Sequence, residues 1–329
     1  CCATPWPWPG ALVEQWLERL RGVAVHRYPD PGAGRLKGQL REAMGVPEGA
    51  GLILGNGSDE LIQLINLAVA AGGRTVLAPS PSFAMYRLLA AAAGAEYAEF
   101  PLGEAFGLDT AAARAALEAH TPAVTYLAHP NNPTGNGLDL EAVAAVAEAA
   151  DGLVVVDEAY YAYAEASFLP RVLEHPNVVV LRTLSKVGLA GLRVGVLAGH
   201  PAWVRELEKC RLPYNLGSLA QASAEFALEH RAALDTAVAR VRAERERLAA
   251  ELPRVPGVEA TWPSETNFLT FRVAAGRAQA VYEGLRARGV LIKRLDGSHP
   301  RLAGCLRVTV GRPEENDAFL AALAAALAA

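Results

Sequence analysis

The chain has 329 residues and carries 31 lysines and arginines against 35 aspartates and glutamates, a formal charge of −4 with histidine neutral. That balance offers no basic footprint for nucleic acid, and 52% apolar with 20% charged residues excludes a disordered chain in favour of a globular one with one large or two medium domains. Four cysteines, Cys1, Cys2, Cys210 and Cys305, are too few for a disulfide scaffold and lack metal-ligand spacing, so a reducing cytoplasm and a metal-free site are expected.

The chain begins at Cys1. Its first twenty residues lack a basic start followed by an apolar core, and Glu14, Glu18 and Arg19 interrupt them, so neither a signal peptide nor a membrane anchor is expected. From Gly51 to Gly199, short apolar runs alternate with helical stretches. The runs are Gly51 to Leu54, Thr75 to Ala78, Ala123 to Ala128, Leu153 to Val156, Val178 to Leu181 and Val194 to Ala198; the helices include Asp59 to Ala71, Tyr86 to Ala93 and Leu140 to Ala149. Strands apolar on both faces and separated by amphipathic helices imply a mostly parallel sheet covered on both sides, an α/β core.

From Leu219 to Leu252 the sequence is Ala-rich, charged at helical spacing and free of proline and glycine, which predicts one long interdomain helix or a broken pair. Strands are then expected at Val258 to Trp262, Asn267 to Val273, Val290 to Lys293 and Leu306 to Val310, with helices at Ala278 to Arg288 and Glu314 to Ala329. The expected division is a large domain over 25–222 and a smaller α+β domain built from 1–24 and 223–329. The Ala-Leu tail from Ala318 is too short to span a bilayer and reads as a buried helix.

Chemistry-bearing residues gather where strands end, the edge at which open α/β sheets bind ligands. Asp157 follows the Leu153 strand at once. Taken alone it serves equally as a helix cap, an ion-pair partner of an arginine or a catalytic carboxylate. Lys186, one of four lysines with Lys37, Lys209 and Lys293 beside 27 arginines, lies just past the Val178 strand in Arg182-Thr183-Leu184-Ser185-Lys186. A lysine in such a turn is more often solvated, but the following Leu189-Ala190-Gly191-Leu192-Arg193-Val194-Gly195 brings close backbone and a fixed positive charge, which suits an amine nucleophile. Asn131-Asn132-Pro133-Thr134-Gly135 is a common turn signal that also fixes the Asn132 amide. Gly55-Asn56-Gly57-Ser58-Asp59-Glu60 opens a helix, with Ser58 the expected N-cap. It is neither a dinucleotide fingerprint nor a P-loop, yet its free amides suit a single phosphate as well as they suit a plain capped helix.

In combination these segments resemble the fold-type I pyridoxal-phosphate aminotransferases, over nearly the whole chain from about Val25 to Val310. The resemblance implies a large domain with a mostly parallel seven-stranded sheet covered by helices, a smaller α+β domain, and pyridoxal 5′-phosphate as cofactor. Lys186 would join the cofactor aldehyde and shuttle the substrate proton. Asp157 would pair with the ring nitrogen, keeping the ring an electron sink. Asn132 and Tyr160 would bond the ring's phenolic oxygen, and Phe83 would lie over its face. The backbone at Ser58, Asp59 and Glu60, the Ser185 hydroxyl and Arg193 would hold the phosphate, although relatives carry one more residue between the lysine and the Leu-Ala-Gly-Leu-Arg run.

Three further segments are similar to the histidinol-phosphate aminotransferases within that family. In His26-Arg27-Tyr28-Pro29-Asp30-Pro31 the family's tyrosine reaches the neighbouring subunit's cofactor phosphate, which implies a homodimer with Tyr28 crossing between subunits. The same segment without that role is a Pro-rich turn with a packed tyrosine. Pro213 to Gln221 resembles the approach to the interdomain helix. Arg294 and Arg307, the latter in Gly304-Cys305-Leu306-Arg307-Val308-Thr309-Val310-Gly311, would bind the carboxylate of glutamate or the phosphate of histidinol phosphate, since a guanidinium fork matches either anion. Arg294 reads equally as a surface residue. The family's closing segment corresponds to the altered Ala3-Thr4-Pro5-Trp6-Pro7-Trp8-Pro9.

The activity so implied is transamination between histidinol phosphate and 2-oxoglutarate, in histidine biosynthesis, by a small-molecule enzyme of the cytoplasm without nucleic-acid or membrane partners. A broader aromatic or aspartate-type aminotransferase would share every cofactor residue, and a threonine-phosphate decarboxylase also fits the resemblance. A cofactor-binding regulator is the reading from another class. Such proteins attach a DNA-binding module, for which the residues before Val25 are too few and too uncharged.

Overall fold

Three consecutive valines, Val154 to Val156, can all be buried only if both faces of their strand are covered, and the large sheet is built that way. The computed structural model describes residues 4–328; Cys1, Cys2, Ala3 and Ala329, and the expectations that fall on them, lie outside the described residues. Helices α1 (Gly10–Arg21) and α2 (Gly34–Met44) precede the large sheet. Its strands are β1 (Gly51–Asn56), β2 (Thr75–Ser80), β3 (Glu96–Pro101), β4 (Val124–Ala128), β5 (Leu153–Asp157), β6 (Val178–Thr183) and β7 (Val194–Gly199), in the spatial order β1-β7-β6-β5-β4-β2-β3. Strand β7 runs antiparallel to both neighbours, and the other pairs are parallel.

The connecting helices are α3 (Ser58–Ile65), α4 (Met85–Ala92), α5 (Thr110–His120), α6 (Leu140–Ala149) and α7 (Pro201–Glu208). Side chains alternate across the sheet. Val154, Val156, Val178 and Val180 enter one apolar layer, while Leu153, Val155, Val179 and Leu181 enter the other. Each such side chain, fully buried, contributes about 1.5–3 kcal/mol over an exposed one.

After α8 (Ser218–Glu229) the chain breaks at His230 and continues as α9 (Arg231–Glu251), the broken pair among the two expected forms. The second sheet contains β8 (Val258–Thr261), β9 (Phe268–Val273), β10 (Lys293–Arg294) and β11 (Cys305–Thr309), in the antiparallel order β10-β11-β9-β8. Helices α10 (Ala278–Ala287) and α11 (Pro313–Ala328) cover one face of it through Leu269, Phe271, Leu306, Val308, Leu285 and Phe319. The expected buried tail helix is α11, which buries one face and leaves the other exposed. Among the described residues no helix is long and apolar enough to cross a membrane. Helix α1 lies on α8, where the Trp16 indole N–H donates to Ser223 Oγ at 2.8 Å.

Three local expectations need correction. The strand expected at Val290 to Lys293 is displaced to Lys293–Arg294, because Gly289 turns at φ 78° and the Val290 N–H closes α10 by donating to the Leu285 carbonyl. The helix expected from Asp59 to Ala71 becomes π-helical at Asn66–Ala70, where the buried Asn66 side-chain oxygen accepts from the Tyr126 hydroxyl at 2.7 Å. Strand β3 was not foreseen: Glu96, Tyr97, Ala98 and Glu99 give no apolar run, because at the sheet edge Tyr97 and Ala98 are only partly covered, one by each apolar layer, and both glutamates are exposed.

Candidate active site

Parallel strands β4, β5 and β6 end side by side, so whatever follows each of them arrives at one edge. A cleft there, partly open to solvent and with a cavity volume of about 100 Å³, is lined by Ser58, Asp59, Phe83, Asn132, Asp157, Tyr160, Ser185, Lys186 and Arg193. These are nine of the expected site residues, from six separate segments; Glu60, Tyr28, Arg294 and Arg307 are not on its wall. Tyr86 and Thr183 also line it and were not foreseen.

Asp157 continues the face of Leu153 and Val155 and is 5% exposed. Burial, partly offset by hydrogen bonds from the Tyr86 hydroxyl and the Ala159 N–H and by the Lys186 charge, pushes its carboxyl up to about 6. Glu158, the next residue, turns to the opposite layer. There it accepts from Arg182 Nε at 2.9 Å, the Ser167 hydroxyl at 2.9 Å and the Phe168 N–H at 2.6 Å. The adjacent acids thus divide by strand period, Asp157 facing the cleft and Glu158 tying β5 to β6.

Lys186 lies in a 3₁₀ turn, Leu184–Val187, capped by Thr183 Oγ1, which accepts from the Ser185 N–H at 3.1 Å. Its carbonyl accepts from the Tyr163 hydroxyl at 2.8 Å, and its amine lies 5.3 Å from the Tyr160 ring centroid. Asn131 anchors the next turn by donating to the Pro81 carbonyl and to Thr134 Oγ1, which leaves Asn132 facing the cleft.

At the start of α3 the N-cap is Gly57, at φ 83°, and not the expected Ser58. No side chain caps this end, so the Ser58 hydroxyl stays on the cleft wall. Glu60 points its carboxylate back to the Asn56 N–H and to Asn215 Nδ2, so its side chain is held away from the cleft. A Cβ on Gly57 would come within 2.5 Å of Arg193 Nη2, and one on Gly195 within 2.6 Å of Ser58 N. Arg193 adopts a left-handed conformation, φ 53°, and its guanidinium lies 3.7 Å from Asp59 Oδ2 and 3.5 Å from Ser185 Oγ. Despite the shorter spacing from Lys186, it reaches the helix start. Uncapped amides, two hydroxyls and a guanidinium form an anion cradle that fits a phosphate.

Arg307 projects from β11 beside Thr270 of β9, its guanidinium 4.6 Å over the Phe268 ring and donating to the Asn132 side-chain oxygen. Arg294 does not share that place. It pairs with Leu306 on the helix-covered face of β10, is exposed, and donates to Gln279 of α10; Lys293, opposite Arg307, takes the cleft-side face. Tyr28 is 81% exposed, stacked on Tyr214 at 4.6 Å and absent from the lining of its own chain's cleft. Of the altered N-terminal segment, Thr4 lies against Gly188, and Trp6 packs on the cluster of Tyr160, Tyr163 and Phe268.

The donor set fits pyridoxal phosphate in chemistry: an amine for its aldehyde, a buried carboxylate for its ring nitrogen, an aromatic face and an anion cradle. Residues 9–323 match the model of the family described as aminotransferase class I and II. A relative from Nitrosococcus oceani named histidinol-phosphate aminotransferase 2 is 50% identical over 321 residues, 98% of this chain and 89% of the relative. A histidinol-phosphate aminotransferase from Chromobacterium violaceum is 48% identical over 319 residues, 97% of this chain and 89% of its own. The crystal structure of the Sinorhizobium meliloti histidinol-phosphate aminotransferase in complex with pyridoxal 5′-phosphate superposes with a TM-score of 0.90 at 25% identity, covering 100% of this chain and 89% of that one. The chain belongs to the class I and II aminotransferases, transaminases of fold type I whose cofactor is pyridoxal 5′-phosphate.

Proposed function

We propose that the chain transfers the amino group between L-histidinol phosphate and 2-oxoglutarate, giving imidazole-acetol phosphate and L-glutamate in histidine biosynthesis. The name the relatives share, histidinol-phosphate aminotransferase, supports histidinol phosphate as the amine donor. The observation that carries the reading is the position of Arg307, a cationic fork that meets Asn132 on the wall of the cleft holding Lys186. Both donors of the amine are anions at one end, and one guanidinium serves a carboxylate or a phosphate.

When bound, pyridoxal phosphate supplies an aldehyde for the amino group and a protonated ring that withdraws the electron pair left at the substrate Cα. Lys186 Nζ would be the base that takes the proton from the substrate Cα and the acid that gives it back. Asp157 holds the proton of the ring nitrogen. Asn132 and Tyr160 bond the phenolic oxygen, and Phe83 covers the ring. Ser58, Asp59 and Glu60 through their N–H groups, with Ser185 and Arg193, hold the phosphate. Arg307 orients the substrate anion.

The reading extends to a cytoplasmic homodimer, in which Tyr28 of the partner subunit completes the phosphate site. Supporting this, Tyr28, Tyr214 and Leu212 are large exposed side chains in segments beside the β1 end of the sheet. It also takes 25–222 as the large domain and 1–24 with 223–329 as the small one. The test is to mix the cofactor-loaded enzyme separately with glutamate and histidinol phosphate. Loss of the long-wavelength cofactor absorbance with each is expected. No change with histidinol phosphate, or release of carbon dioxide from threonine phosphate at a comparable rate, would overturn the substrate assignment.

A further inference from the structure

Both oxygens of Asp157 are engaged. The Ala159 N–H donates to Oδ1 at 3.1 Å and the Tyr86 hydroxyl to Oδ2 at 2.8 Å. Tyr86 is fully buried on α4, stacked at 4.6 Å on Tyr126 of β4 and met edge-on by Phe83 at 5.5 Å. Tyr126 is itself fixed, since its hydroxyl donates to Asn66 Oδ1. The packed rings give the Tyr86 hydroxyl one place to be. Burial and the nearby Asp157 charge push its phenol well above the ordinary range, so it keeps its proton and donates it to the carboxylate.

We propose that Tyr86 is a positioning residue, whose hydroxyl fixes the Asp157 carboxylate in one orientation and keeps it charged to receive a cationic ring N–H in the cleft. This rests on the reading of Asp157 as the ring-nitrogen partner. A buried carboxyl left to itself takes up a proton, and a neutral acid cannot neutralise the protonated ring. The groups facing Asp157 come from every element around it. Lys186 after β6 favours its charge, Asp59 at the start of α3 opposes it, and the phenols of Tyr86 and Tyr126 approach from α4 and β4. Among the influences that favour the charged form, the Tyr86 hydrogen bond is the largest. Tyr86 lies three residues after Phe83, so one turn of chain sets both the ring cover and the carboxylate's donor.

The experiment follows the Asp157 carboxyl by ¹³C NMR in the full chain before cofactor addition, with its signal identified by its loss in Asp157→Asn. In Tyr86→Phe the midpoint is expected to rise by about one unit or more, because a hydrogen bond to a charged group is lost while the ring's shape is kept. Tyr126→Phe, whose hydroxyl does not touch Asp157, is expected to leave it within about 0.3 of a unit. An unmoved midpoint in Tyr86→Phe, or an equal rise in Tyr126→Phe, overturns the proposal. If Tyr86→Phe does not fold, the unsubstituted chain decides. In half-deuterated water the Tyr86 Cζ carbon is expected to give separate signals for O–H and O–D while Asp157 is ionised, and a single averaged signal overturns the proposal. Neither readout needs the cofactor, so each can fail while the transaminase reading stands.

Discussion

The Arg307 guanidinium of the second sheet donates to the side-chain oxygen of Asn132, in the turn that follows β4 of the first. The same turn is held from β9, where the Thr270 hydroxyl donates to the Pro133 carbonyl at 2.6 Å. Two hydrogen bonds thus tie the Asn132 turn of the first sheet to β9 and β11 of the second. Replacing Arg307 by methionine keeps much of its packing on Phe268 and removes the fork. The kcat/KM for histidinol phosphate and for glutamate is expected to fall by about 10²–10³-fold, the scale of a charge-assisted bidentate pair, with cofactor affinity nearly unchanged. Steady-state kinetics and cofactor titration check both halves, and a loss under tenfold would remove Arg307 from the substrate site.

Asp157 gives a stability prediction with a definite sign. Its folded value of about 6 lies above the ordinary range for an unfolded aspartate, so the folded chain binds the proton more tightly. The stability this group contributes is complete at low pH and is lost as pH rises from about 4 through 6. Before cofactor addition, Asp157→Asn should therefore gain on the parent across that window, by on the order of 3 kcal/mol at pH 8, whereas the cofactor-loaded variant should lose transaminase activity. Chemical denaturation at pH 4 and pH 8 measures the change, and a pH-independent difference would contradict it.

Gly195 sits where β7 crosses the start of α3. A Cβ there would come within 2.5 Å of the Gly57 carbonyl carbon, which is backbone and cannot turn aside. Gly195→Ala is expected to cost about 2–3 kcal/mol and to weaken cofactor binding, because the helix start must shift. Thermal unfolding with and without pyridoxal phosphate reads both effects.

Arg182 and Glu158 form a buried pair, and Arg182 also donates to the Met44 carbonyl and to Ser167 Oγ, both at 2.8 Å. Arg182→Met leaves the Glu158 charge uncompensated and should cost about 3–5 kcal/mol. Adding Glu158→Gln should restore part of this, since the amide removes the buried charge. A double variant as unstable as the single one would show that the loss comes from packing alone.

Much of this was legible because strand ends announce themselves. Asp157 follows an apolar run at once, Asn132 and Lys186 come in the turns just after two others, and parallel pairing then brings the ends together without further information. Edges and termini were less legible. Strand β3 carries no apolar run to mark it, and β10 begins late because Gly289 and Val290 are taken up in closing α10. Arg294 is separated from Arg307 by register, a property of the β10–β11 pairing that spacing along the chain does not encode. Tyr86 had a signal, three residues beyond Phe83 at helical spacing, but its partner lies 71 residues away and only the fold joins them.

The central claim is that Lys186 carries the cofactor. Sodium borohydride reduction of the pyridoxal-phosphate-loaded enzyme, followed by peptide mapping, tests it directly, because the chain offers only four lysines. A stable pyridoxyl label confined to the peptide containing Lys186 is the expected result. A label on Lys37, Lys209 or Lys293 in its place, or no label at all, would contradict the account.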